Sequence, residues 1–178
     1  MKATGIVRRI DDLGRIVIPK EIRKTLRIRE SDPLEIFTDR EGEVILKKYS
    51  PLGELSQFAA SFADALAQTM GTLVCITDRD HVVAASGNGR KEYDGKPVSP
   101  QLEDMMQERK SLNYSKKDRQ FIKITADDPG LYEYQSAATV ICEGDVVGSI
   151  ISLSGSKMEE NPNLIQAAAR FLGIQMEG

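Results

Sequence analysis

The chain has 178 residues, of which 40% are hydrophobic and 29% charged, a composition typical of a soluble globular protein of one or two domains. Its formal net charge of −3 conceals an uneven distribution, because residues 1–27 contain 8 basic and 3 acidic side chains. No apolar run approaches the roughly 18 residues of a membrane span, and the first residues lack a signal-peptide pattern. These features disfavour a membrane or secreted protein and predict a cytoplasmic one, with a basic segment suited to a polyanion.

The N-terminal segment predicts two strands and a short helix. Residues 5–10 and 14–18 read as strands, and residues 11–14 (DDLG) supply the turn chemistry between them. Pro19 can occupy the first turn of a helix, where its missing N–H costs nothing, and the helix is predicted to run to about Leu26.

A second pair of strands follows this helix. The runs PLEIFTD and EVILKKY read as strands joined by a hairpin-like turn at residues 40–42 (REG). A unit of about 50 residues buries only about 60% of its unfolded surface. The first two strands are also apolar on both faces, and such a strand needs cover on both. We therefore expect an intertwined or closely packed dimer.

Residues 51–178 predict a separate α+β unit, in which helices alternate with strands. The predicted elements, in chain order, are a helix at 52–70 ended by Gly71, strands at 72–77 and 81–86, a helix from Ser99-Pro100 to about Arg109, a strand at 120–125, an antiparallel pair within 136–155, and a terminal helix opened by Asn161-Pro162. There is no internal repeat and no low-complexity segment, so the interpretation is one sensor-like domain.

Basic side chains are concentrated in the short helix and the strands before it. Four of them fall at i, i+3, i+4 and i+7 and are predicted to share one helix face: Lys20, Arg23, Lys24 and Arg27. Ile22 and Leu26 are directed to another face, toward a core. Glu21 is the only acidic residue in this helix, so ion pairing does not account for the basic run. The adjacent strands add three more cations: Arg8, Arg9 and Arg15.

This arrangement indicates a binding mode as well as a partner. Repeated in a dimer, the charge suits phosphates spaced along a duplex. The segment has no Asn or Gln and no aromatic residue before Phe37, which disfavours both a strict base code and a single-strand stacking platform. We expect duplex DNA held mainly through phosphates and selected by DNA shape. The alternative is an ordinary solvated helix face.

The run TGIVRRIDDLGRIVIPKEIRKTLRI, followed by DPLEIF and VILKKY, resembles the AbrB family of bacterial transition-state regulators. The resemblance covers about residues 1–50 and implies a DNA-binding domain folded as a swapped-hairpin β-barrel dimer. Taken with the remainder, the chain is similar to members in which this domain precedes a GAF-like sensor or oligomerisation domain, here residues 51–178. That similarity implies an α+β regulator that activates and represses sporulation genes.

The resemblance also implies which side chains contact DNA. The family's contact positions fall on Arg8, Arg15, Arg23 and Lys24. The last is often arginine in this family, and lysine keeps the charge but loses the planar fork. Three further residues are expected to act as supporting charges on the residue pattern alone: Arg9, Lys20 and Arg27.

The two long helices of residues 51–178 are candidates for subunit contact. One carries Leu55, Phe58, Phe62, Leu66 and Thr69 at steps of three and four, and the other carries Leu164, Ala168, Phe171 and Leu172. These faces either pack only on their own sheet or meet a second set of helices, for which the interspersed alanines, Ala59, Ala63 and Ala65 in the first helix, leave room. Because GAF-like domains commonly dimerise through terminal helices, the resemblance favours a bundle between subunits. Two kinds of dimer contact would close a homotetramer.

Catalytic, metal and cofactor chemistry is not expected. His81 is the only histidine and reads as a surface residue at a turn-to-strand junction. Cys75 and Cys142 lie in apolar strand-like runs, where a buried, reduced thiol has a raised pKa and low reactivity. The loop at 87–96 lacks the Gly-Lys-Ser/Thr ending of a phosphate-binding loop and reads as a flexible solvent loop. A small molecule bound in the GAF-like domain stays an open alternative, without an identifiable ligand.

Two other function classes share parts of this pattern. An antitoxin-like DNA-binding autoregulator with a protein partner would use the same N-terminal barrel, but antitoxins usually continue into an extended toxin-binding tail. A GAF-type enzyme would need a clustered catalytic set, which cannot be assembled from these residues. A DNA-binding transcription regulator acting as an oligomer is the leading hypothesis.

Overall fold

The computed structural model describes residues 5–156 and 163–177. The chain forms two compact units, Met1–Tyr49 and Ser50–Gly178, which we call the N-terminal unit and the C-terminal unit. Within the described ranges, no helix is both long enough and apolar enough to cross a membrane.

The N-terminal unit contains one short helix and one β-hairpin. Helix α1 spans Lys20–Thr25 and follows Pro19, whose φ of −57° suits a helix start. Strands β1 (Leu34–Thr38) and β2 (Val44–Lys48) pair antiparallel. The predicted helix and second strand pair are confirmed to within two residues, because local turn and cap chemistry determines where they start and stop.

The predicted strands at 5–10 and 14–18 are wrong for the single chain, since neither segment is part of a β-ladder there. The turn between them does form. The Asp11 N–H donates to the Arg15 carbonyl at 3.0 Å, and Gly14, at φ 76°, donates to the Asp11 carbonyl at 3.0 Å. A strand is defined by its hydrogen-bonded neighbour, and these apolar segments pair with no second strand among the described residues of their own chain.

The C-terminal unit is a five-stranded antiparallel sheet with helices on both faces. The strands lie in the order β4-β3-β7-β6-β5. Its elements are α2 (Pro51–Glu54), α3 (Ser56–Met70), β3 (Leu73–Thr77), β4 (Val82–Ser86), a 3₁₀ turn (Arg90–Glu92), α4 (Pro100–Gln107), β5 (Ser111–Ser115), β6 (Tyr134–Cys142), β7 (Asp145–Ser154) and α5 (Asn163–Gln175).

Two apolar cores lie on the two faces of this sheet. Strand β3 illustrates the alternation, because Val74 and Ile76 join the core under α3 and α5, whereas Leu73 and Cys75 join the core under α4. All four side chains are at most 2% exposed. A strand buried on both faces reads as a continuous apolar run, as the sequence TLVCIT does.

The helix predicted at 52–70 is divided at Leu55 into α2 and α3. Two of its alanines, which were expected to suit contact between helices, lie against the sheet instead. Ala59 and Ala63 are fully buried against the sheet, whereas Leu55 and Phe58 are 37% and 38% exposed. Small side chains allow α3 to lie close to the strands, where Leu66 joins them in the core, and Leu55 and Phe58 remain on the opposite side.

The terminal helix shows the same division of its apolar side chains. Ala168 and Leu172 are buried on the sheet, whereas Leu164 and Phe171 are 38% and 46% exposed. The predicted cap at Asn161-Pro162 lies outside the described residues.

The predicted strand at 120–125 is wrong, and β5 occupies the sheet edge instead. The Gln135 side chain, fully buried, accepts from the Ile122 N–H at 3.1 Å and donates to the Ile122 carbonyl at 2.9 Å. Asp128 accepts from the Ile124 N–H at 2.9 Å. Side chains therefore satisfy the backbone groups that a ladder would otherwise satisfy.

The loop at 87–96 is mostly exposed to solvent, as predicted, and two tyrosine side chains hold it in place. Tyr93 is fully buried and its hydroxyl donates to Asp128 Oδ1 at 3.0 Å. From the other side, the Tyr132 hydroxyl donates to the Asn88 carbonyl at 2.6 Å. Two tyrosines thus fasten this loop over the core beneath α4.

Candidate nucleic-acid interface

The seven basic side chains predicted to face DNA all belong to the N-terminal unit, and all are exposed. They are Arg8, Arg9, Arg15, Lys20, Arg23, Lys24 and Arg27. Arg8 and Arg9 lie in the segment before the first turn, and Arg15 follows that turn directly. Exposure leaves each guanidinium or ammonium accessible to an anion, which is the basic requirement for phosphate contact.

Helix α1 carries three of these residues: Lys20, Arg23 and Lys24. The predicted fourth member, Arg27, is not on the helix face, because α1 ends at Thr25 and Arg27 has a left-handed φ of 52°. Leu26, predicted to face a core, is 54% exposed in the single chain, and Ile22 is half-buried.

The end of α1 is a Schellman motif in which arginine takes the usual place of glycine. The Ile28 N–H donates to the Arg23 carbonyl at 2.8 Å, and the Arg27 N–H donates to the Lys24 carbonyl at 3.3 Å. A side chain in the left-handed region costs roughly 1–2 kcal/mol. The helix end therefore keeps a cation where glycine would be less strained.

The loop after α1 is attached to the hairpin by a buried ion pair. Lys48 Nζ lies 3.1 Å from Asp32 Oδ2 and donates to the Arg27 carbonyl at 3.0 Å. The Asp32 side chain is 1% exposed and also accepts from the Arg29 N–H at 2.8 Å. These contacts fix the position of the helix end relative to β2.

Asp11 is the residue at this surface that sequence reasoning did not single out. Its Oδ2 accepts from Arg15 Nε at 2.8 Å, and its Oδ1 accepts from the N–H groups of Leu13 and Arg15 at 3.0 and 2.8 Å. The pKa of Asp11 is lowered by these bonds. The bond from the Arg15 backbone N–H has the largest effect, and the bond from the Arg15 side chain has the next largest. The spacing i, i+4 around a DDLG turn was the available signal.

Much of the N-terminal unit's apolar surface is also exposed. Side chains more than two-thirds exposed are Val7, Ile10, Leu13, Val17, Ile36 and Val44. Exposed apolar area of this extent marks an interaction surface, and it includes side chains of segments 5–10 and 14–18, whose predicted strands find no partner among the described residues.

A second apolar surface lies on the helices of the C-terminal unit. Phe62 lies between Phe58, at 5.9 Å between ring centroids, and Phe171, at 5.6 Å. We call these three rings the aromatic face. Phe58 and Phe171 are 38% and 46% exposed, so the face joins α3 and α5 on the side away from the sheet.

The histidine and the two cysteines differ in their burial. His81 is exposed, as predicted. Cys75 is fully buried, and burial raises the pKa of its thiol far above the ordinary value. Cys142 was predicted to be buried but is only half-buried. The pKa of its thiol is raised, mainly by its partial burial and next by the negative charge of Glu143. Among residues 5–156 and 163–177, no three His, Cys, Asp or Glu side chains form a metal-binding group.

The C-terminal unit has the GAF fold. The GAF domain of the nutrient sensor CodY from Clostridium difficile is similar over 66% of this chain and 83% of that one, with a TM-score of 0.52 at 15% identity. The family model of the bacterial antitoxin MazE matches residues 7–53. A small basic unit followed by a domain of GAF fold defines the class of two-domain proteins to which the chain belongs.

The sequence relatives specify the family within that class. The model described as stage V sporulation protein T C-terminal, transcription factor, matches residues 54–177. Stage V sporulation protein T of Bacillus subtilis (strain 168) is 49% identical over 180 aligned positions, covering 99% of each chain. The transition state regulatory protein AbrB of the same organism is 63% identical over 51 residues, covering 29% of this chain and 52% of that one. The chain belongs to the stage V sporulation protein T family, and the predicted resemblance is confirmed.

Proposed function

We propose that this chain regulates transcription of sporulation genes, as activator and as repressor, by binding duplex DNA with little dependence on base sequence. Membership of a family of transcription factors supports the regulatory role. The observation that carries the DNA-binding part is the exposure of all seven basic side chains in one small unit.

Phosphate contacts account for this surface better than base readout does. The exposed polar groups are mostly guanidinium and ammonium groups, which bind phosphate oxygens in any sequence. Arg8, Arg15 and Arg23 can in addition make bidentate contacts to guanine, whereas Lys24 acts as a point charge. DNA shape would then supply most of the selectivity.

The proposal is tested by measuring the affinity of the full chain for duplex DNA across a salt series. The test variant replaces Arg8, Arg15, Arg23 and Lys24 with alanine. Each phosphate contact contributes a slope of about −0.9 to log affinity against log salt, so this variant flattens the slope by about 3 or more per chain bound.

The matched control removes the same charge from exposed positions of the C-terminal unit: Lys91, Lys117, Arg119 and Lys123 to alanine. It leaves the slope nearly unchanged if the N-terminal unit holds the DNA. Equal slopes in the two quadruple variants, with both folded, would assign the salt dependence to net charge alone and contradict the proposed interface.

We further propose that the protein acts as a homotetramer. The exposed apolar side chains of the N-terminal unit support one dimer contact, with the two-faced segments 5–10 and 14–18 pairing between chains as in a swapped hairpin. The aromatic face supports a second contact, in a helical bundle between C-terminal units. Two different isologous contacts close a tetramer, and several basic units then engage one duplex with gained avidity.

Replacing Phe58 and Phe171 with lysine tests the second contact. Charged side chains on the aromatic face are expected to convert tetramers into dimers, because a buried lysine without a partner is costly. Multi-angle light scattering at micromolar concentration measures this. A monomeric unaltered chain, or an unaltered mass in the double variant, would contradict the assembly.

We assign DNA binding to residues 1–50 and a sensory and assembly role to residues 51–178, in a cytoplasmic protein without catalytic activity. The CodY neighbour is described as a cofactor-binding domain, and this supports small-molecule input through the GAF fold. A panel of metabolites tested for thermal stabilisation of the full chain would identify such input, and a panel without effect would count against it. The antitoxin alternative shares residues 7–53 but requires an extended partner-binding segment, whereas Ser50–Gly178 is folded.

A further inference from the structure

In the turn between the first two apolar segments, a single carboxylate accepts three hydrogen bonds, two of them from one arginine. Asp11 Oδ1 accepts from the backbone N–H of Leu13 and of Arg15, and Asp11 Oδ2 accepts from Arg15 Nε at 2.8 Å. The Asp11 carboxylate is thereby fixed by the backbone before it meets the guanidinium. The Arg15 side chain is still 70% exposed.

The hairpin of the same unit contains a second copy of this turn. Asp39 Oδ1 accepts from the N–H groups of Glu41 and Glu43 at 3.0 and 2.8 Å, the same distances as in the first turn. Gly42 has φ 85°, as Gly14 has 76°. The two turns differ at the fifth position, where the hairpin has a glutamate and the first turn has Arg15. The backbone bonds alone therefore suffice for the turn, and the bond to Arg15 Nε is additional.

We propose that Asp11 is a positioning residue for DNA binding, which orients the Arg15 guanidinium so that its two terminal nitrogens face the duplex. The inference rests on the proposed function, because it takes Arg15 as a DNA contact. An arginine has five N–H donors in a fixed fork. When Nε is bound to Asp11, the four donors on the terminal nitrogens remain, which is the set that makes bidentate contacts to phosphate or guanine.

The bond to Asp11 lowers the conformational entropy that Arg15 has left to lose when DNA binds. An exposed ion pair ordinarily contributes little, because two flexible side chains must be ordered together. Here the turn has already ordered the carboxylate, so only the arginine loses freedom, and it loses this freedom before DNA binds. A pre-organised contact increases affinity by reducing the ordering cost of association.

The proposal makes a prediction opposite in sign to simple electrostatics. A carboxylate near DNA repels phosphate, so its removal should strengthen binding if charge alone matters. Asp11→Asn removes the charge and keeps an amide oxygen for the two backbone N–H groups, but it places an NH2 donor where Oδ2 was, so Arg15 Nε loses its acceptor. The probe is a duplex that the unaltered full chain has selected from a pool of random sequences. On this duplex we expect the Kd of Asp11→Asn to be about threefold to tenfold higher than that of the unaltered chain.

Two reference variants separate positioning from charge. Asp39→Asn makes the same substitution in the twin turn and is expected to leave Kd unchanged or slightly lower. The double variant Asp11→Asn/Arg15→Ala is expected to have the same Kd as Arg15→Ala alone, or a slightly lower one, because no guanidinium remains to be oriented. Arg15→Lys keeps the charge but lacks Nε, so it is expected to lose affinity nearly as Arg15→Ala does, which tests the proposal even if Asp11→Asn does not fold.

The outcomes distinguish this inference from the proposed function. If Arg15→Ala weakens binding while Asp11→Asn, folded with an unchanged thermal transition, binds as tightly as the unaltered chain or more tightly, the positioning role is refuted and the interface stands. The same holds if Arg15→Lys binds like the unaltered chain. If Arg15→Ala and the quadruple charge variant both bind normally, the interface and the positioning role fail together.

Discussion

Gly173 is the position where the addition of one methyl group should be most informative about the C-terminal unit. It lies on the buried side of α5, where a Cβ would meet the Ile141 carbonyl oxygen of β6 at 2.1 Å. Ordinary contact begins near 3.5 Å, so helix and strand would have to separate by about 1.4 Å. The carbonyl belongs to the backbone of β6, next to a register shift between Val140 and Ile141, and the Cβ is attached directly to the backbone of α5, so neither can move aside alone.

The expected loss of stability can be worked out from opposing contributions. Overpacking costs about 1–3 kcal/mol, and a clash between two backbone segments is at the upper end of that range. Alanine in a helix gains about 1 kcal/mol over glycine. The net loss for Gly173→Ala is therefore about 2 kcal/mol, which lowers the Tm of a unit of about 130 residues by roughly 7 °C.

Differential scanning calorimetry of the full chain measures this shift, with Gly155→Ala as the control. A Cβ at Gly155 meets nothing within 4 Å, so that variant should melt within about 1–2 °C of the unaltered chain. An unchanged or higher Tm for Gly173→Ala would refute the reasoning, because it would mean that α5 is not held against β6 at this distance. Light scattering on the same variant would also show whether a shift of α5 disturbs the aromatic face.

Three further outcomes are expected. Arg27→Gly should stabilise the N-terminal unit against urea by about 0.5–1 kcal/mol while weakening DNA binding, since it relieves a left-handed φ and removes a cation. Lys48→Met should destabilise the same unit by about 1–3 kcal/mol, because the buried Asp32 carboxylate loses an ion-pair partner; hydrogen exchange would detect this. Burial raises the pKa of both thiols, so at pH 8 a thiol reagent should modify Cys142 slowly and Cys75 only on unfolding.

Short-range features of the fold could be predicted because their causes are local. Pro19 marks the start of α1, and Gly42 supplies the left-handed residue of the hairpin turn, at φ 85°. The strand predictions for segments 5–10 and 14–18 are wrong because strand pairing does not have a local cause. Their apolar, β-branched residues favour extended backbone, but strand formation depends on a neighbour that local sequence does not specify.

The sheet contains β5 at its edge instead of the strand predicted at 120–125, and hydrogen bonds from a distant side chain explain the difference. The run QFIKIT has the better strand composition, yet Gln135 binds both backbone groups of Ile122 and keeps that segment out of the sheet. The polar run SLNYS pairs with β6 instead, from Ser111 opposite Ala138 to Ser115 opposite Tyr134. Strand propensity is a local property, so it could not predict that a glutamine thirteen positions away binds the backbone of Ile122.

The orientation of α3 could not be predicted because helical spacing does not rank apolar side chains by size. Phe58 and Ala59 are neighbours in sequence, and the alanine is the one that faces the sheet. The candidate site shows a similar limit. Its cations could be identified from charge and spacing, whereas the bond from Arg15 to Asp11 depends on the geometry of a turn.

The division of charge between the two units bears on how the protein approaches DNA. Residues 1–50 carry 12 basic and 9 acidic side chains, a sum of +3, and residues 51–178 carry 12 and 18, a sum of −6. Phosphates attract the first and repel the second, so long-range electrostatics should orient the encounter and leave the basic unit as the part that docks. Repulsion between phosphates and the acidic C-terminal unit would also reduce non-specific DNA binding by that unit. In the proposed tetramer, affinity would then depend on how many basic units one assembly presents, and the apolar surfaces of both units would determine that number.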